Sequence, residues 1–551
     1  MNVRLVLGSA QPAFDLRLRR LEADGFATRL ARRDPTLWSA DPAHQRVAAN
    51  RLGWLGSPRT MAGAIDDLTS FAAGIAREGF THAVLLGMGG SSLAPEVLRL
   101  VLGVRPGLLD LAVLDNTSPA AVRAITTAHD LSRTLFIVSS KSGGTLEVTS
   151  FERHCFAAVK TARGDQAGRS FIAITDPGTS LEKLAGTRGY RRVFLNPPDI
   201  GGRYSALSYF GLVPAALLGA DLRSILAAAA NEAATLEQAT PVGGSGVALG
   251  AALGELALAG RDKVTLVLDP RITALGSWIE QLLAESTGKD GRGLIPVADE
   301  PLGAPESYCA DRVFVEVPVQ ATHPDTATSL RRLEDAGHPV LRWTWPSIAE
   351  LGAEFVRWEI ATATAGAVLG VDPFDEPNVA EAKEATRATL DRLLAAGGAP
   401  ERSHERATGG PADLAVLLER ARPGDYFAIL AYLHRSPGTH GRLERLRLAV
   451  RDRSRLATTL GYGPRYLHST GQLHKGGPPT GLFLVLTAEE GEDVPIPGER
   501  YGFAALRRAQ ALGDLEVLER HGRRALHVHL GSGIEGGLDE LVAAAEAMAR
   551  A

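Results

Sequence analysis

The chain has 551 residues, of which 45% are hydrophobic and 22% are charged, and this is the composition of an ordinary globular protein. A prior of roughly 150 residues per domain predicts three or four units rather than a single hydrophobic core. The formal net charge of -4 offers no basic surface to attract nucleic acid or an acidic membrane, so we expect neither as a partner.

The two cysteines and the N-terminal residues indicate the cellular compartment of the protein. Cys155 and Cys309 lie far apart, outside any CxxC or Cys/His cluster, which predicts unpaired thiols in a reducing environment. The first residues lack the basic and apolar segments of a signal peptide, and no window approaches ~20 apolar residues. We therefore expect a cytoplasmic protein. No cluster of His, Cys and carboxylate residues has metal-ligand spacing, so we expect no metal and no cofactor.

Residues 1–68 have helical, amphipathic spacing and no predicted strand, so we expect a helical arm that packs on a later lobe. Residues 69–240 alternate between short apolar strands and helices. This alternation predicts a doubly wound parallel sheet, whose ligands bind beyond the carboxyl ends of the strands. The predicted strands are Thr81–Leu86, Leu111–Asp115, Thr134–Val138, Phe171–Thr175 and Arg192–Leu195.

A second α/β lobe is predicted over residues 241–396, and a smaller C-terminal α/β region over residues 397–551. The Gly/Pro-rich segment Gly397–Pro411 predicts a linker between them. In the last region we expect a helix at Gly441–Gly461. The strands predicted in these two units are Val264–Leu268, Leu294–Val297, Arg312–Val317, Val340–Trp343, Tyr426–Leu430, Gly481–Leu486 and Ala525–Leu530.

Two loops rich in serine and glycine follow predicted strands of the first lobe. They are Gly87–Ser92 (GMGGSS) and Val138–Glu147 (VSSKSGGTLE). Each loop directs backbone N–H groups and a helix N-terminus at a ligand, and the second adds hydroxyls and one lysine, which favours a phosphate site. Taken singly, each loop also fits a tight turn with an N-cap. Neither is a GxGxxG fingerprint or a P-loop, so a small phosphate monoester is a better candidate than a nucleotide.

Five strings together resemble the glucose-6-phosphate isomerase family, whose two lobes are sugar-isomerase (SIS) domains. The resemblance covers roughly residues 70 to 390, and the order and spacing of the strings match the family. The flanking strings Asn50–Leu55 and His468–Gly477 resemble the isomerase half of bifunctional transaldolase/glucose-6-phosphate isomerases. The five strings are Gly87–Pro95, Val138–Glu147, Gly201–Ser205, Glu285–Lys289 and Phe374–Lys383.

The resemblance implies a role for each matching residue. Arg203 would lie beside the reacting carbons, Glu285 would be the catalytic base, and Lys383 would help to open the sugar ring. Ser142 stands where most relatives have threonine, and Glu376 where many have glutamine. The residues implied in phosphate or substrate binding are Gly90, Ser91, Ser140, Lys141, Ser142, Thr145 and Glu376.

The histidine that opens the ring is harder to place, because the GQH-type string expected between the base and lysine motifs is missing. The nearest similar string is Gly471–Gly477 (GQLHKGG), far downstream in the third region. An imidazole titrates near neutral pH, which suits proton transfer to a ring oxygen. We therefore assign this role to His474, with His468 as a weaker candidate.

The expected function is metal-independent interconversion of glucose 6-phosphate and fructose 6-phosphate through a cis-enediol. Two alternatives stay open: an isomerase that also accepts mannose 6-phosphate, and a non-catalytic SIS protein that senses sugar phosphates. Arg203 and Glu285 favour catalysis, because a sensor needs the hydroxyl-rich loops but neither a base nor a guanidinium at the reacting end. The resemblance also implies a possible homodimer.

Overall fold

A computed structural model describes residues 3–238, 244–395 and 409–548. It contains three β-sheets, with α-helices packed around them, in agreement with the α/β class expected from the sequence. Most of the predicted linker Gly397–Pro411 and the proposed boundaries at 240/241 and 396/397 lie outside the described residues, so the domain limits stay predictions. No helix in the described ranges is long and apolar enough to cross a lipid bilayer.

The strands are β1 (Val3–Val6), β2 (His82–Gly87), β3 (Asp110–Leu114), β4 (Thr134–Ser139), β5 (Phe171–Thr175), β6 (Arg192–Leu195), β7 (Lys263–Leu268), β8 (Ile295–Val297), β9 (Arg312–Val317), β10 (Val340–Trp343), β11 (Tyr426–Tyr432), β12 (Ala457–Tyr462), β13 (Gly481–Thr487) and β14 (Arg524–His529).

The helices are α1 (Gln11–Ala23), α2 (Phe26–Ala31), α3 (Pro42–Ala49), α4 (Ser57–Ala62), α5 (Ile65–Arg77), α6 (Leu93–Leu102), α7 (Pro119–Thr127), α8 (Leu146–Arg163), α9 (Ser180–Thr187), α10 (Tyr209–Leu218), α11 (Leu222–Ala234), α12 (Ser245–Leu258), α13 (Leu275–Thr287), α14 (Pro324–Asp335), α15 (Leu351–Leu369), α16 (Val379–Ala395), α17 (Pro411–Glu419), α18 (Pro437–Ser454), α19 (Gly471–Gly476), α20 (Phe503–Arg520) and α21 (Ile534–Ala547).

The first sheet has the strand order β3-β2-β4-β5-β6, and every pairing in it is parallel. Strands β2 and β4 are nearly continuous apolar runs, as expected for parallel strands buried on both faces. They pair directly, with Gly87 opposite Ser139. The two loops rich in serine and glycine therefore leave the same edge of the sheet side by side.

The second sheet has the order β1-β10-β9-β7-β8, with β1 antiparallel to β10 and the other pairings parallel. The prediction that residues 1–68 carry no strand is therefore wrong. Strand β1 has only four residues and two of them are exposed, so it lacks the apolar run or the long alternation by which a strand is recognised. It lies at the edge of the sheet, where pairing rather than burial defines it.

The third sheet has the order β12-β11-β13-β14 and is entirely parallel. The predicted helix Gly441–Gly461 is wrong over its last seven residues, because α18 ends at Ser454 and β12 follows. Arg455 adopts a left-handed conformation with φ of 60° and stops the helix. The helical spacing of the preceding residues masked a strand that has only three fully buried positions.

Helices α12 and α15 approach closely along a row of small residues, Gly246, Gly250 and Gly254, spaced four apart on α12. A Cβ atom on Gly250 would lie 2.2 Å from the carbonyl oxygen of Ala361, and one on Gly246 would lie 2.8 Å from Cβ of Ile360. This packing fixes α15, which leads directly into the segment 370–378 beside the candidate site. Cys155 is buried, Cys309 is partly buried, and both are free thiols, as the sequence predicts.

We expect Gly250→Val to destabilise the protein by about 1–3 kcal/mol, because a side chain there overlaps the backbone of α15. Ala248→Val, a partly buried position on the same helix, is the matched control for the lower helix propensity of valine. Thermal unfolding followed by scanning calorimetry measures the difference. Equal midpoints for the two variants would contradict the tight interface.

Candidate active site

The two hydroxyl-rich loops meet at the carboxyl edge of the first sheet. Ser139 Oγ donates to the carbonyl oxygen of Ser91 at 3.1 Å and so joins the loops. The hydroxyl oxygens of Ser140 and Thr145 are 3.0 Å apart, at the N-terminus of α8. Ser91 and Ser140 are both buried. Hydroxyls, a helix N-terminus and backbone amides thus converge where the sequence predicts a phosphate site.

Lys141 and Ser142 lie on the outer side of the second loop. The Lys141 ammonium forms an ion pair with Asp176 and donates to the carbonyl oxygen of Pro198 at 3.0 Å. Ser142 is exposed, and its Oγ accepts from the amide of Gly144 at 3.4 Å. An anion bound on this loop would share the Lys141 ammonium with Asp176, which weakens the electrostatic contribution of this lysine.

Gly90 has a packing role that the sequence did not reveal. A Cβ atom there would lie 2.0 Å from the carbonyl oxygen of Gly202 and 2.8 Å from the amide nitrogen of Arg203. The first loop therefore rests directly on the short 3-10 helix Gly202–Tyr204. Glycine is required here because any side chain would separate the hydroxyl-rich loops from Arg203.

Arg203 is buried, and its guanidinium is fixed on every side. Its Nε donates to Ser286 Oγ at 2.8 Å, and its Nη2 donates to the carbonyl oxygens of Pro373 and Asp375 at 2.8 and 2.9 Å. Its Nη1 lies 3.1 Å from Oε2 of Glu376 and 3.5 Å from Oε1 of Glu285. The guanidinium is a preorganised positive charge that faces two carboxylates.

Glu285 lies near the end of α13, with its side chain 13% exposed. Burial raises the pKa of its carboxyl, the charge of Arg203 opposes that rise, and the nearby carboxylate of Glu376 reinforces it. The net result is a raised pKa, as the sequence predicts for the end of an apolar helix. Gln281 donates to Glu285 Oε2 at 3.1 Å and so orients the group.

Lys289 secures the segment that holds Arg203. Its ammonium donates to the carbonyl oxygens of Asp372 and Asp375, and to Oδ1 of Asp375, each at 2.6 Å. His44, Asp372 and Asp375 present atoms within 4.8 Å of one another, a spacing that can suit a metal ion. The Lys289 ammonium already supplies the positive charge at this point.

His468 lies next to the Glu285 carboxylate rather than apart from it. Gln281 Nε2 donates to the backbone carbonyl oxygen of His468 at 2.7 Å as well as to Glu285. The Nε2 atom of His468 is 3.0 Å from Oε1 of Glu147. Burial opposes ionisation of Glu147, but the charge of His468 and its hydrogen bond prevail, so the pKa of Glu147 is lowered.

Gln510, from helix α20 of the third region, completes this network. Its Nε2 donates to Glu147 Oε1 at 2.7 Å, and its Oε1 accepts from the Thr117 hydroxyl at 2.8 Å. Thr117 thereby fixes which end of the Gln510 amide faces Glu147. Lys383 is exposed on α16 and lines the same small cavity as Glu147 and His468.

The structure places His474 elsewhere, which disagrees with the role expected for it. His474 is buried in the core of the third region, where its Nδ1 lies 3.1 Å from the Tyr426 hydroxyl and its ring packs edge-on against Phe483. Burial and the nearby charge of Lys475 lower its pKa well below the usual value. The GQLHKGG string therefore lies in a buried segment, in which Gly476 packs closely against Gly288 and Asn378. Of the two candidate histidines, His468 is the one that lies beside Glu147.

Four polar residues of the site have no role assigned from the sequence: Glu147, Gln281, Lys289 and Gln510. Glu147, Gln281 and Lys289 lie within or one turn away from recognised strings, so their proximity was a usable signal. Gln510 lies in a helix with no such string. Only the packing of α20 against the first lobe reveals it.

We expect Thr145→Val to weaken the binding of inorganic phosphate at least tenfold, because a hydrogen bond to a charged group contributes about 1.5–3 kcal/mol. Thr149→Val, one turn further along α8, is the control, since its hydroxyl bonds only to the helix carbonyl oxygen of Thr145. Isothermal titration calorimetry measures both variants against the wild type. Unchanged affinity in Thr145→Val would show that phosphate does not bind on this loop.

Comparisons with known proteins agree with this geometry. A sequence model of the family described as phosphoglucose isomerase matches residues 60–293. A glucose-6-phosphate isomerase of Rubrobacter xylanophilus is 29% identical over 62% of this chain and 89% of its own length. One from Thermus thermophilus is 27% identical over 68% of this chain and 99% of its own length. A shorter match, to the enzyme of a Synechococcus strain, is 35% identical over 38% of this chain and 40% of that protein.

Solved structures show the same fold. A hypothetical protein from Thermus thermophilus superposes with a TM-score of 0.60 at 24% identity, over 71% of this chain and all of its own. A glucose-6-phosphate isomerase from Chlamydia trachomatis has a TM-score of 0.51 at 20% identity, over 68% of this chain and 79% of its own. Together with the matched motifs and the assembled site, these comparisons show that the chain is similar to glucose-6-phosphate isomerases, with a match to the phosphoglucose isomerase family over residues 60–293.

Proposed function

We propose that the chain interconverts glucose 6-phosphate and fructose 6-phosphate through a cis-enediol. The observation that carries this proposal is the buried pair of Arg203 and Glu285, 3.5 Å apart and adjacent to the hydroxyl-rich loops. A carboxylate with a raised pKa next to a fixed cation is suited to moving a proton on a carbon that lies beside a carbonyl group. The family match over residues 60–293 and the named relatives support the same activity.

In the proposed reaction Glu285 removes the proton from C2 of open-chain glucose 6-phosphate and returns it to C1. Burial keeps the base strong enough to accept a proton near neutral pH, while Gln281 holds its carboxylate in place. Negative charge develops on the enediol oxygens during this transfer. The Arg203 guanidinium is preorganised to stabilise that charge without reorganisation and without a metal ion.

We assign ring opening to His468 in place of His474. The Glu147 carboxylate bonds to Nε2 of His468, which fixes the orientation of the ring. Protonation of the ring oxygen by His468 and removal of the O1 proton by a second group would open the sugar. Lys383 lines the same cavity and remains the candidate for assisting this step.

The phosphate is proposed to bind on Ser140, Thr145 and the neighbouring amides, with Ser91 beneath them. Binding energy from this non-reacting end positions C1 and C2 at Glu285. A sugar-phosphate sensor would need this anchor alone. The buried cation and base favour the enzyme over the sensor, because burying both groups is costly unless they have a role. The proposal also includes a cytoplasmic location and a homodimeric assembly.

We expect the purified protein to convert fructose 6-phosphate in the presence of EDTA, and Glu285→Gln to lose about 10²–10⁴ of the rate as the general base is removed. Glu280→Gln is the matched control, since Glu280 precedes Gln281 on the same helix. The charges that shift the pKa of Glu280 include those of Asp299 and Arg447 but not that of Arg203. A coupled assay measures all three proteins. An active Glu285→Gln enzyme would eliminate the mechanism, and activity that requires added metal would eliminate its metal independence.

We expect His468→Gln to slow turnover of cyclic substrate while proton exchange at C2 of an open-chain analogue stays near normal, because Glu285 is untouched. His474→Gln removes a buried ring contact and should lower the unfolding temperature without changing the rate per folded molecule. Steady-state rates and deuterium incorporation from solvent distinguish the two. A rate loss in His474→Gln, with His468→Gln active, would return the role to His474.

A further inference from the structure

A second cavity, of about 470 Å³, lies between the first lobe and the third region, away from the hydroxyl-rich loops. One wall is helix α7, which contributes Arg123 and Ala124. The opposite wall comes from the segments that follow β11 and β13, including His434 and Glu490, together with Arg507 from α20. The volume is within the range of about 300–1,000 Å³ typical of small-molecule sites.

The cavity lies where the topology of the third sheet predicts a ligand. The chain builds β11 first, adds β12 on one side of it, and then returns to add β13 on the other side. The loops after β11 and β13 therefore diverge to opposite faces of the sheet and leave a crevice between their carboxyl ends. Open α/β sheets bind their ligands at this switch point.

Arg507 gives the crevice its chemistry. Its side chain is only 2% exposed, and its Nη1 donates to Glu490 Oε1 at 2.6 Å. Its Nε and Nη2 are buried and have no hydrogen-bond partner within residues 3–238, 244–395 and 409–548. In a planar guanidinium these two N–H groups point the same way and form the fork that binds a carboxylate or phosphate with two parallel hydrogen bonds. Leaving both donors unpaired in a buried position is costly.

The remaining polar groups limit the kind of anion. Glu490 and Glu492 line the cavity, where Arg507 and Arg123 respectively neutralise them. Their carboxylates can accept hydrogen bonds from hydroxyl groups, but they disfavour an anion that carries charge along its whole length. The chemistry that fits is a small molecule with one strongly anionic end and hydroxyl groups along the rest.

We propose that this crevice is a second binding site, for a small hydroxylated anion whose carboxylate or phosphate lies on the Nε/Nη2 fork of Arg507. Its hydroxyls bond to Glu490 and Glu492. The site is distinct from the isomerase site, because none of its lining residues belongs to the hydroxyl-rich loops or to the residues around Arg203. Binding there does not depend on the proposed isomerase activity.

Glycerate and glycerol 3-phosphate are the probes, one for each anionic group, in isothermal titration calorimetry of the full chain. We expect at least one of them to bind at millimolar concentration or tighter, and Arg507→Lys to weaken that binding at least about tenfold. Lysine keeps the charge beside Glu490 but lacks the fork. Binding of glycerate alone identifies a carboxylate site, and binding of glycerol 3-phosphate alone identifies a phosphate site.

Ala124→Trp is the second variant, because Ala124 is exposed on α7 and lines the crevice, so a large side chain there occupies its volume while Arg507 itself is unchanged. It is expected to abolish the same binding event and to leave the rate with fructose 6-phosphate unchanged. It also decides the outcome if Arg507→Lys does not fold. The proposal is overturned if neither probe binds to the wild type, or if the binding persists unchanged in Ala124→Trp.

Discussion

The buried charge of Arg203 is the constraint on which the site depends. A guanidinium removed from water is costly unless every donor is satisfied and the charge is balanced. Burial by itself lowers the pKa of Arg203, but the carboxylates of Glu285 and Glu376 outweigh it and raise the pKa. To satisfy the remaining donors, the segment before α16 must present the carbonyl oxygens of Pro373 and Asp375, and the last turn of α13 must present the hydroxyl of Ser286. One side chain from the first lobe thus specifies how the second lobe closes on it.

The same constraint explains the properties of the proposed base. Burial raises the pKa of Glu285, and the charge of Arg203 limits that rise. The carboxyl group can therefore both accept and release a proton. Gly90 fixes the position of the hydroxyl-rich loop relative to Arg203. Because it lets the backbone of the first loop contact Gly202, the phosphate end and the reacting end keep a fixed separation. Preorganisation of this kind is a major source of enzymatic rate enhancement.

The features that could be predicted from the sequence are those whose signal lies in neighbouring residues of the chain. The strands of the first sheet are continuous apolar runs, and the loops after them carry recognisable strings, so both were correctly located. Strand β1 is defined by its pairing with β10, and Arg455 ends α18 through a backbone conformation, so neither has a local signature. The choice between His468 and His474 depended on which ring reaches Glu147, 321 residues away in the chain. Sequence spacing carries no information on that distance.

The third region is an integral part of the site rather than an appendage. It supplies His468 and Gln510, and both bond to Glu147, which belongs to the phosphate-loop string of the first lobe. A buried carboxylate stays ionised only while such partners remain, so Glu147 couples the docking of the third region to the charge state of the site. In the proposed mechanism this arrangement would account for the absence of a histidine motif between the base and lysine strings, since the imidazole would come from the third region of the chain.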